Sequence, residues 1–123
     1  MPVELDGSHL TIFDVAAVSR NKDNVSVSND AWKRIDGCRA MIQNKIDAHE
    51  VMYGVTTGIG EFSEVVLNPD QVKEFQRYLI YSHAAGIGDP MVEDVVRGAM
   101  LGRINVHCHG TVSYTHLTLP TKA

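Results

Sequence analysis

A single tyrosine lies in the most glycine-rich stretch of the 123-residue chain, VMYGVTTGIGEF, which runs from Val51 to Phe62. Glycine permits backbone conformations that other residues avoid, so such a loop can change shape at low cost. A phenol in the loop can serve as a general base if its neighbours lower its pKa from about 10. The pattern alone favours an ordinary connecting loop with a half-buried tyrosine. The functional alternative is a mobile active-site loop that carries Tyr53.

The spacing of the glycines does not favour phosphate binding. A Walker loop ends in Gly-Lys-Ser/Thr, whereas Gly60 is followed here by Glu61 and Phe62. A dinucleotide fingerprint requires a glycine at the position of Ser63, and both motifs follow a strand, whereas a helix is predicted before this loop. Phosphate ligands are therefore a poor hypothesis for the stretch.

A histidine ends an apolar stripe on a predicted helix. Val72, Phe75, Leu79 and His83 recur at steps of three and four, which places them on one helical face. A lone histidine on such a face is usually a core residue with satisfied hydrogen bonds. However, the helix breaks near Gly86, and an imidazole at a helix end can donate and accept hydrogen bonds to a ligand. Both interpretations of His83 remain open at this point.

The other histidines and the cysteines indicate neither a metal site nor a disulfide framework. His107 and His109 are two residues apart on a predicted helix, so their side chains point about 200° apart and cannot grip one ion there. Cys38 and Cys108 are distant in sequence and lack metal-site or redox spacing. They are typical of reduced thiols, which predicts a cytoplasmic location.

Composition narrows the class of protein further. Hydrophobic residues make up 44% and charged residues 21% of the chain, and the net charge is -4. These values are typical of a soluble globular domain, and the chain length allows one domain at most. We expect no nucleic-acid or membrane partner, because there is no basic patch, no apolar run of about 18 residues and no signal-peptide layout.

The pattern of caps and apolar spacings predicts a mainly α protein with minor β structure. Thr11 and Asp14 form a capping box, and Asn68, Pro69 and Gln71 give a second helix start of the same kind. The predicted helices cover Thr11–Arg20, Ser28 or Asn29 to about His49, Asn68 to about His83, and Met91 towards His109 after an Asp89-Pro90 start. Short strands are predicted at 25–27 and in the EVVL stretch at 64–67.

The last thirteen residues, TVSYTHLTLPTKA, break this pattern. Val112 to Thr121 match one reading frame of a common transposase-based sequencing adapter, residue for residue. We therefore interpret 111–123 as a non-native tail and 1–110 as the native part, which is cut within its last helix. Processing scars of this kind are excluded from fold reasoning.

Three blocks in order resemble the aromatic amino acid lyase family. They are YGVTTGIGEF, FQRYLIYSHAAGIGDP and VRGAMLGRINVHCHG. The likeness is strong from about Met52 to Gly110 and looser from Leu5 to His49. It implies the N-terminal part of an ammonia-lyase-type helical fold with a glycine-rich active-site loop. The family contains histidine, phenylalanine and tyrosine ammonia-lyases and the related aminomutases.

The resemblance also implies roles for five residues. Tyr53 matches the family's catalytic acid/base, which removes the β-proton of the substrate. Gly54 and Gly58 match loop hinges, and Gly60 is expected to lie against the substrate in the closed loop. The position of His83 is apolar in phenylalanine-specific members and histidine in the histidine and tyrosine enzymes. His83 is therefore expected to bind the substrate ring, and the wording SHAAGIG is closer to the histidine enzymes.

One part that the family requires is missing. The family's electrophile is a methylidene-imidazolone group formed from Ala-Ser-Gly, and this tripeptide is absent from the 123 residues. The chain alone is therefore expected to be inactive, whereas its parent would be a homotetramer that converts histidine to urocanate and ammonia. The alternatives are a fragment of a tyrosine ammonia-lyase or tyrosine 2,3-aminomutase, and a non-catalytic helical interaction domain.

Overall fold

The computed structural model describes residues 2–111. Four helices and two short strands follow one another along the chain: β1 (Val3–Leu5), α1 (Ile12–Arg20), β2 (Val25–Val27), α2 (Asn29–Asp47), α3 (Pro69–His83) and α4 (Glu93–His107). These elements confirm the mainly α fold with minor β structure. Residues 2–38 with 89–111 form one compact unit and residues 39–88 form another, and α2 runs through both.

The first unit contains a parallel pair of strands joined by a helix. Val3 lies opposite Val25 and Leu5 opposite Val27, with α1 as the connection. The capping box predicted for α1 is confirmed, since the Thr11 hydroxyl accepts from the Asp14 N–H and the Asp14 carboxylate accepts from the Thr11 N–H. Parallel strands cannot be joined by a tight turn, so a helical crossover is the expected connection.

The core of this unit is small and apolar. Helices α1 and α4 pack together, and at Gly98 an added Cβ would lie 3.5 Å from a Val15 methyl group. A side chain at position 98 would thus be in ordinary van der Waals contact with α1, whereas no atom lies within 4 Å of the same point at Gly102. The most buried members of the core cluster are Leu5, Val18, Ala31, Leu101 and Cys108.

The turn after β1 is held by one carboxylate. Asp6 accepts hydrogen bonds from the N–H groups of Ser8 (2.8 Å) and His9 (3.0 Å), and it also contacts the His9 ring. The His9 bond is the main cause that lowers the pKa of Asp6, and Asp6 in turn raises the pKa of His9. A lowered carboxyl pKa stabilises the turn above pH 3.8, and a raised imidazole pKa stabilises it below pH 6.5. The turn is therefore held most firmly between these values.

Three parts of the helical prediction need correction. Helix α4 ends at His107 with Cys108 as its C-cap, so Gly110 lies beyond the helix and the native part is not cut within it as predicted. Helix α4 begins at Glu93 after Val92, which has no side-chain cap, and not at the predicted Asp89-Pro90 start. Its first turn instead carries the acidic pair Glu93 and Asp94, which favours a helix N-terminus electrostatically. The predicted EVVL strand is also wrong, because only Val66 pairs there, in an isolated bridge to Thr57.

The second unit holds the remaining helix and the glycine-rich loop. Helix α3 begins where the sequence predicts, with a complete capping box between Asn68 and Gln71. It ends at His83, and its buried face carries Val72, Gln76 and Leu79. Of the predicted tail 111–123, residues 112–123 lie outside the described residues, so the interpretation as a non-native tail stays a prediction.

Candidate active site

The loop that carries Tyr53 begins with a tight series of turns. The N–H groups of Val55 and Thr56 both donate to the Met52 carbonyl, at 3.1 and 3.0 Å. Gly54 lies inside this turn, between Met52 and Val55, with φ of 68°, in the left-handed region that side chains disfavour. A glycine directly after Tyr53 is therefore required by this turn.

Two threonine hydroxyls fix the loop from within. Thr56 Oγ1 accepts from the Met52 N–H at 2.8 Å and donates to the Glu50 carbonyl at the same distance. Thr57 Oγ1 accepts from the Gly54 N–H at 3.2 Å. Thr56 is 6% and Thr57 1% exposed, so these bonds are shielded from water. The segment around Gly54 is thus a hydrogen-bonded structure and not an open linker.

The second half of the loop folds back on itself. The Gly58 N–H donates to the Val65 carbonyl at 3.2 Å, and the Leu67 N–H donates to the Thr56 carbonyl at 2.8 Å. Between these contacts lies a short 3-10 turn, Gly60–Phe62. Because the chain folds back here, Gly58 lies against the backbone and Cβ of Phe62. No space is left for a larger residue at position 58.

The phenol of Tyr53 projects from this framework into solvent. Its side chain is 68% exposed, and its oxygen accepts a hydrogen bond from the Gly60 N–H at 3.2 Å. Gly60 has φ of 59°, with no atom within 4 Å of the point where a Cβ would lie. Among residues 2–111 the Gly60 N–H is thus the hydrogen-bond partner that orients the phenol.

The imidazole of His83 is also exposed, at the end of α3. Its Nδ1 lies 2.8 Å from the Leu79 carbonyl oxygen and 3.0 Å from Ser82 Oγ. A carbonyl only accepts, so Nδ1 carries the proton in this bond. In the neutral ring Nε2 is then a hydrogen-bond acceptor. The sequence pattern placed His83 on the apolar stripe, whereas the structure has it beyond the buried part.

The two predicted functional side chains lie in the same unit but are not bonded to each other. Within residues 2–111 the hydrogen bonds of His83 are local to α3, and those of the Tyr53 phenol involve Gly60. A cavity of about 40 Å³ lies near the loop, lined in part by Ile46, Thr56 and Val72. Small-molecule pockets are roughly 300–1,000 Å³, so this cavity is too small for an amino acid.

A mutation at Gly58 tests the packing of the loop. A Cβ there would lie 2.5 Å from the Phe62 carbonyl oxygen and 2.6 Å from its Cβ, so the backbone must move. We expect Gly58→Ala to lower the stability of the chain by about 1–3 kcal/mol, as overpacking usually does. Urea unfolding followed by circular dichroism measures this. The control is Gly86→Ala, where no atom lies within 4 Å of the added Cβ, and equal stability of the two variants would contradict the packing.

Three buried polar residues of this unit were not identified from the sequence. Thr56 and Thr57 are internal anchors whose role depends on loop geometry, so no sequence signal marks them. Gln76 is 3% exposed on the buried face of α3. A polar residue four positions after Val72 and three before Leu79 was a signal that could have marked it.

The described residues provide neither a metal centre nor a membrane-spanning helix. Among residues 2–111 no cluster of three or more His, Cys, Asp or Glu residues is placed to hold a metal ion. None of the helices in that range has the length and apolar character needed to cross a membrane. Burial lowers the pKa of His107 and raises that of Cys108.

The match to a family model identifies the class. The model for aromatic amino acid lyases matches residues 10–119, so the chain belongs to the aromatic amino acid lyase family. Helical neighbours among solved structures agree with the fold. The tyrosine aminomutase from Streptomyces globisporus has a TM-score of 0.86 at 28% identity, over 97% of this chain and 23% of that one. The histidine ammonia-lyase from Trypanosoma cruzi has a TM-score of 0.79 at 34% identity, over 89% and 21%.

One curated relative is more similar to this chain in sequence than these two solved structures are. The chain is 45% identical over 109 residues to a histidine ammonia-lyase from Treponema denticola, covering 89% of this chain and 22% of that enzyme. The chain therefore spans less than a quarter of the length of the curated relatives it matches. The family match reaches residue 119 and includes part of the predicted tail, so the division at residue 110 stays a prediction.

Proposed function

We propose that this chain is the N-terminal part of an ammonia-lyase that converts histidine to urocanate and ammonia. The observation that carries the proposal is the pair of exposed polar groups in one unit, the Tyr53 phenol and the His83 acceptor. Support also comes from the histidine ammonia-lyase relatives at 36–45% identity. The parent is proposed to be cytoplasmic and homotetrameric.

Tyr53 is proposed to take the β-proton of the substrate. Removal of that proton leaves an electron pair that forms the Cα–Cβ double bond while the amino group departs as ammonia. The phenol takes a proton only as the phenolate, and the hydrogen bond from the Gly60 N–H to its oxygen would stabilise that form. In the closed loop, Gly60 is proposed to lie against the substrate, and Gly54 and Gly58 are proposed to be the hinges.

His83 is proposed to select the ring of the substrate. With Nδ1 bound to the Leu79 carbonyl, Nε2 accepts a hydrogen bond from an imidazole N–H or a phenol O–H. A phenyl ring offers no such donor and would leave the acceptor unpaired in a closed site. The geometry therefore favours histidine or tyrosine over phenylalanine.

The electrophile of the family cannot form within this chain. Methylidene-imidazolone requires Ala-Ser-Gly, and the 123 residues do not contain it. The residues present thus do not fit the group, and we propose that the group belongs to a part of the parent beyond residue 110. There it would hold the amino group of the substrate as a leaving group. We propose that the chain alone is inactive for this reason.

Exposed apolar side chains support a larger parent. Tyr78 and Tyr81 on α3 are 60% and 59% exposed, and Met100 and Ile104 on α4 are 59% and 44% exposed. Patches of this kind usually mark surfaces that other polypeptide covers. They are expected if three quarters of the lyase packs around these helices.

The test is a chimera in which residues 1–110 of this chain replace the matching segment of the Treponema denticola histidine ammonia-lyase. We expect the assembled chimera to form urocanate from histidine, measured by ultraviolet absorbance, with the unaltered Treponema enzyme as the control. An assembled chimera without lyase activity on any aromatic amino acid contradicts the proposal.

A second candidate is a tyrosine-specific enzyme, either a tyrosine ammonia-lyase or a tyrosine 2,3-aminomutase. The likeness to the Streptomyces globisporus aminomutase favours it, as does the fit of a phenol to His83. Assaying the chimera with tyrosine, for both elimination and β-tyrosine formation, separates this candidate from the first. A non-catalytic helical interaction domain would instead show no activity with either amino acid.

A further inference from the structure

Gln76 carries a buried carboxamide without a partner. The residue is 3% exposed, and neither Oε1 nor Nε2 makes a hydrogen bond among residues 2–111. Buried polar side-chain atoms nearly always have partners, because an unpaired one has lost its bonds to water without replacement. Gln76 therefore has one donor group and one acceptor atom that the described residues leave unused.

The face of α3 that carries Gln76 packs towards the tyrosine loop. Val72, one turn earlier on this face, lines the 40 Å³ cavity together with Thr56 from the loop and Ile46 from α2. Thr56 and Thr57 are buried, as is Gln76. The buried residues of the loop and of α3 thus lie in the same unit, residues 39–88.

The backbone N–H and C=O of Thr57 are a donor and an acceptor that could pair with the Gln76 carboxamide. The bridge between Thr57 and Val66 is formed by bonds from the N–H groups of Gly58 and Leu67. In such a pair the bonds flank the central residue, whose own N–H and C=O point away from the partner strand. Thr57 is 1% exposed, and its N–H and C=O form no hydrogen bond in the described range.

We propose that the Gln76 carboxamide pairs with the N–H and C=O of Thr57 when the loop closes over substrate. Nε2 would donate to the Thr57 carbonyl, and Oε1 would accept from the Thr57 N–H. These two hydrogen bonds would form a latch that holds the closed loop. The inference rests on the proposed function, and it makes Gln76 a positioning residue that acts through the loop on Tyr53. Closure then satisfies four buried groups together, which favours the closed loop once substrate is bound.

The test uses the chimera with Gln76→Leu and Gln76→Glu. Leucine removes both hydrogen-bonding atoms at similar volume. We expect kcat for histidine to fall about 30-fold or more while KM changes less than about threefold, because initial binding does not need the closed loop. Unchanged kcat in an active, assembled Gln76→Leu chimera overturns the latch but leaves the proposed function standing.

Gln76→Glu gives a readout that packing alone would not produce. A neutral carboxylic acid keeps one donor and one acceptor, whereas the carboxylate only accepts. The variant is therefore expected to approach the parent kcat at low pH and to lose activity as the carboxyl ionises, which adds a descending limb to its pH profile. A defect that is the same at every pH contradicts the latch.

Hydrogen exchange provides a measurement that is independent of turnover. With histidine present, the Thr57 amide in the chimera is expected to exchange at least about tenfold more slowly, and this protection is expected to be lost in Gln76→Leu. Equal exchange in both proteins overturns the latch. If the assembled chimera with Gln76 is inactive, the proposed function fails and the latch fails with it.

Discussion

Replacing Tyr53 with phenylalanine in the chimera is expected to lower kcat for histidine by about 10²- to 10⁴-fold, the usual contribution of a general acid or base. The change removes one oxygen whose bond within residues 2–111 is to the exposed Gly60 N–H. Water can replace that bond, so the free energy of unfolding should change by less than about 0.5 kcal/mol. Steady-state kinetics and urea unfolding measure the two effects.

Tyr78→Phe is the matched control for this prediction. Tyr78 is 60% exposed on α3, close to the 68% of Tyr53, but it lies outside the glycine-rich loop. Its loss should leave kcat within about twofold of the parent chimera. Near-normal turnover in Tyr53→Phe would contradict the acid/base assignment, and an equal loss in both variants would indicate a general effect of the lost phenols.

Replacing His83 with leucine should change which amino acid is used. The substitution removes the Nε2 acceptor and lines the same place with an apolar side chain. We expect kcat/KM for histidine to fall by about 10²-fold or more, because sites built around a buried hydrogen bond reject a mismatched pair strongly. Phenylalanine, which needs no acceptor, should become the better substrate.

The control for His83 is Ser82→Ala. Ser82 Oγ lies 3.0 Å from Nδ1, but the Leu79 carbonyl also binds that nitrogen at 2.8 Å and maintains the tautomer. Ser82→Ala should therefore retain the preference for histidine. Assays with histidine, tyrosine and phenylalanine give the full profile, and an unchanged profile in His83→Leu would remove His83 from substrate selection.

Local features of the fold could be predicted from the sequence because their causes lie within a few residues. The capping boxes at Thr11 and Asn68 need only a partner three positions on, and both are present. The parallel pairing of Val3–Leu5 with Val25–Val27 could not be derived, since three-residue strands gain their stability from a partner strand 22 residues away. The missing cap at Val92 was obscured by the stronger Asp-Pro signal nearby.

The glycine-rich loop could be predicted for a similar reason, whereas the roles of Tyr53 and His83 stay predictions. Tyr53, Gly54 and Gly60 stand out in the sequence as one tyrosine among clustered glycines. In the structure both glycines have positive φ, and the Gly60 N–H donates to the Tyr53 phenol. The anchoring by Thr57 depends on a bridge to Val66, nine residues away, which the sequence suggested only as a strand. The partnerless state of Gln76 is a property of packing, and no spacing rule reveals it.

The most direct test of the central claim is a long-read sequence of the source DNA across the codon for Gly110. The reading frame is expected to continue from Gly110 into a helical region that contains Ala-Ser-Gly. A source sequence that encodes TVSYTHLTLPTKA and then stops would contradict it, because no electrophile could then form in the protein that carries Tyr53 and His83.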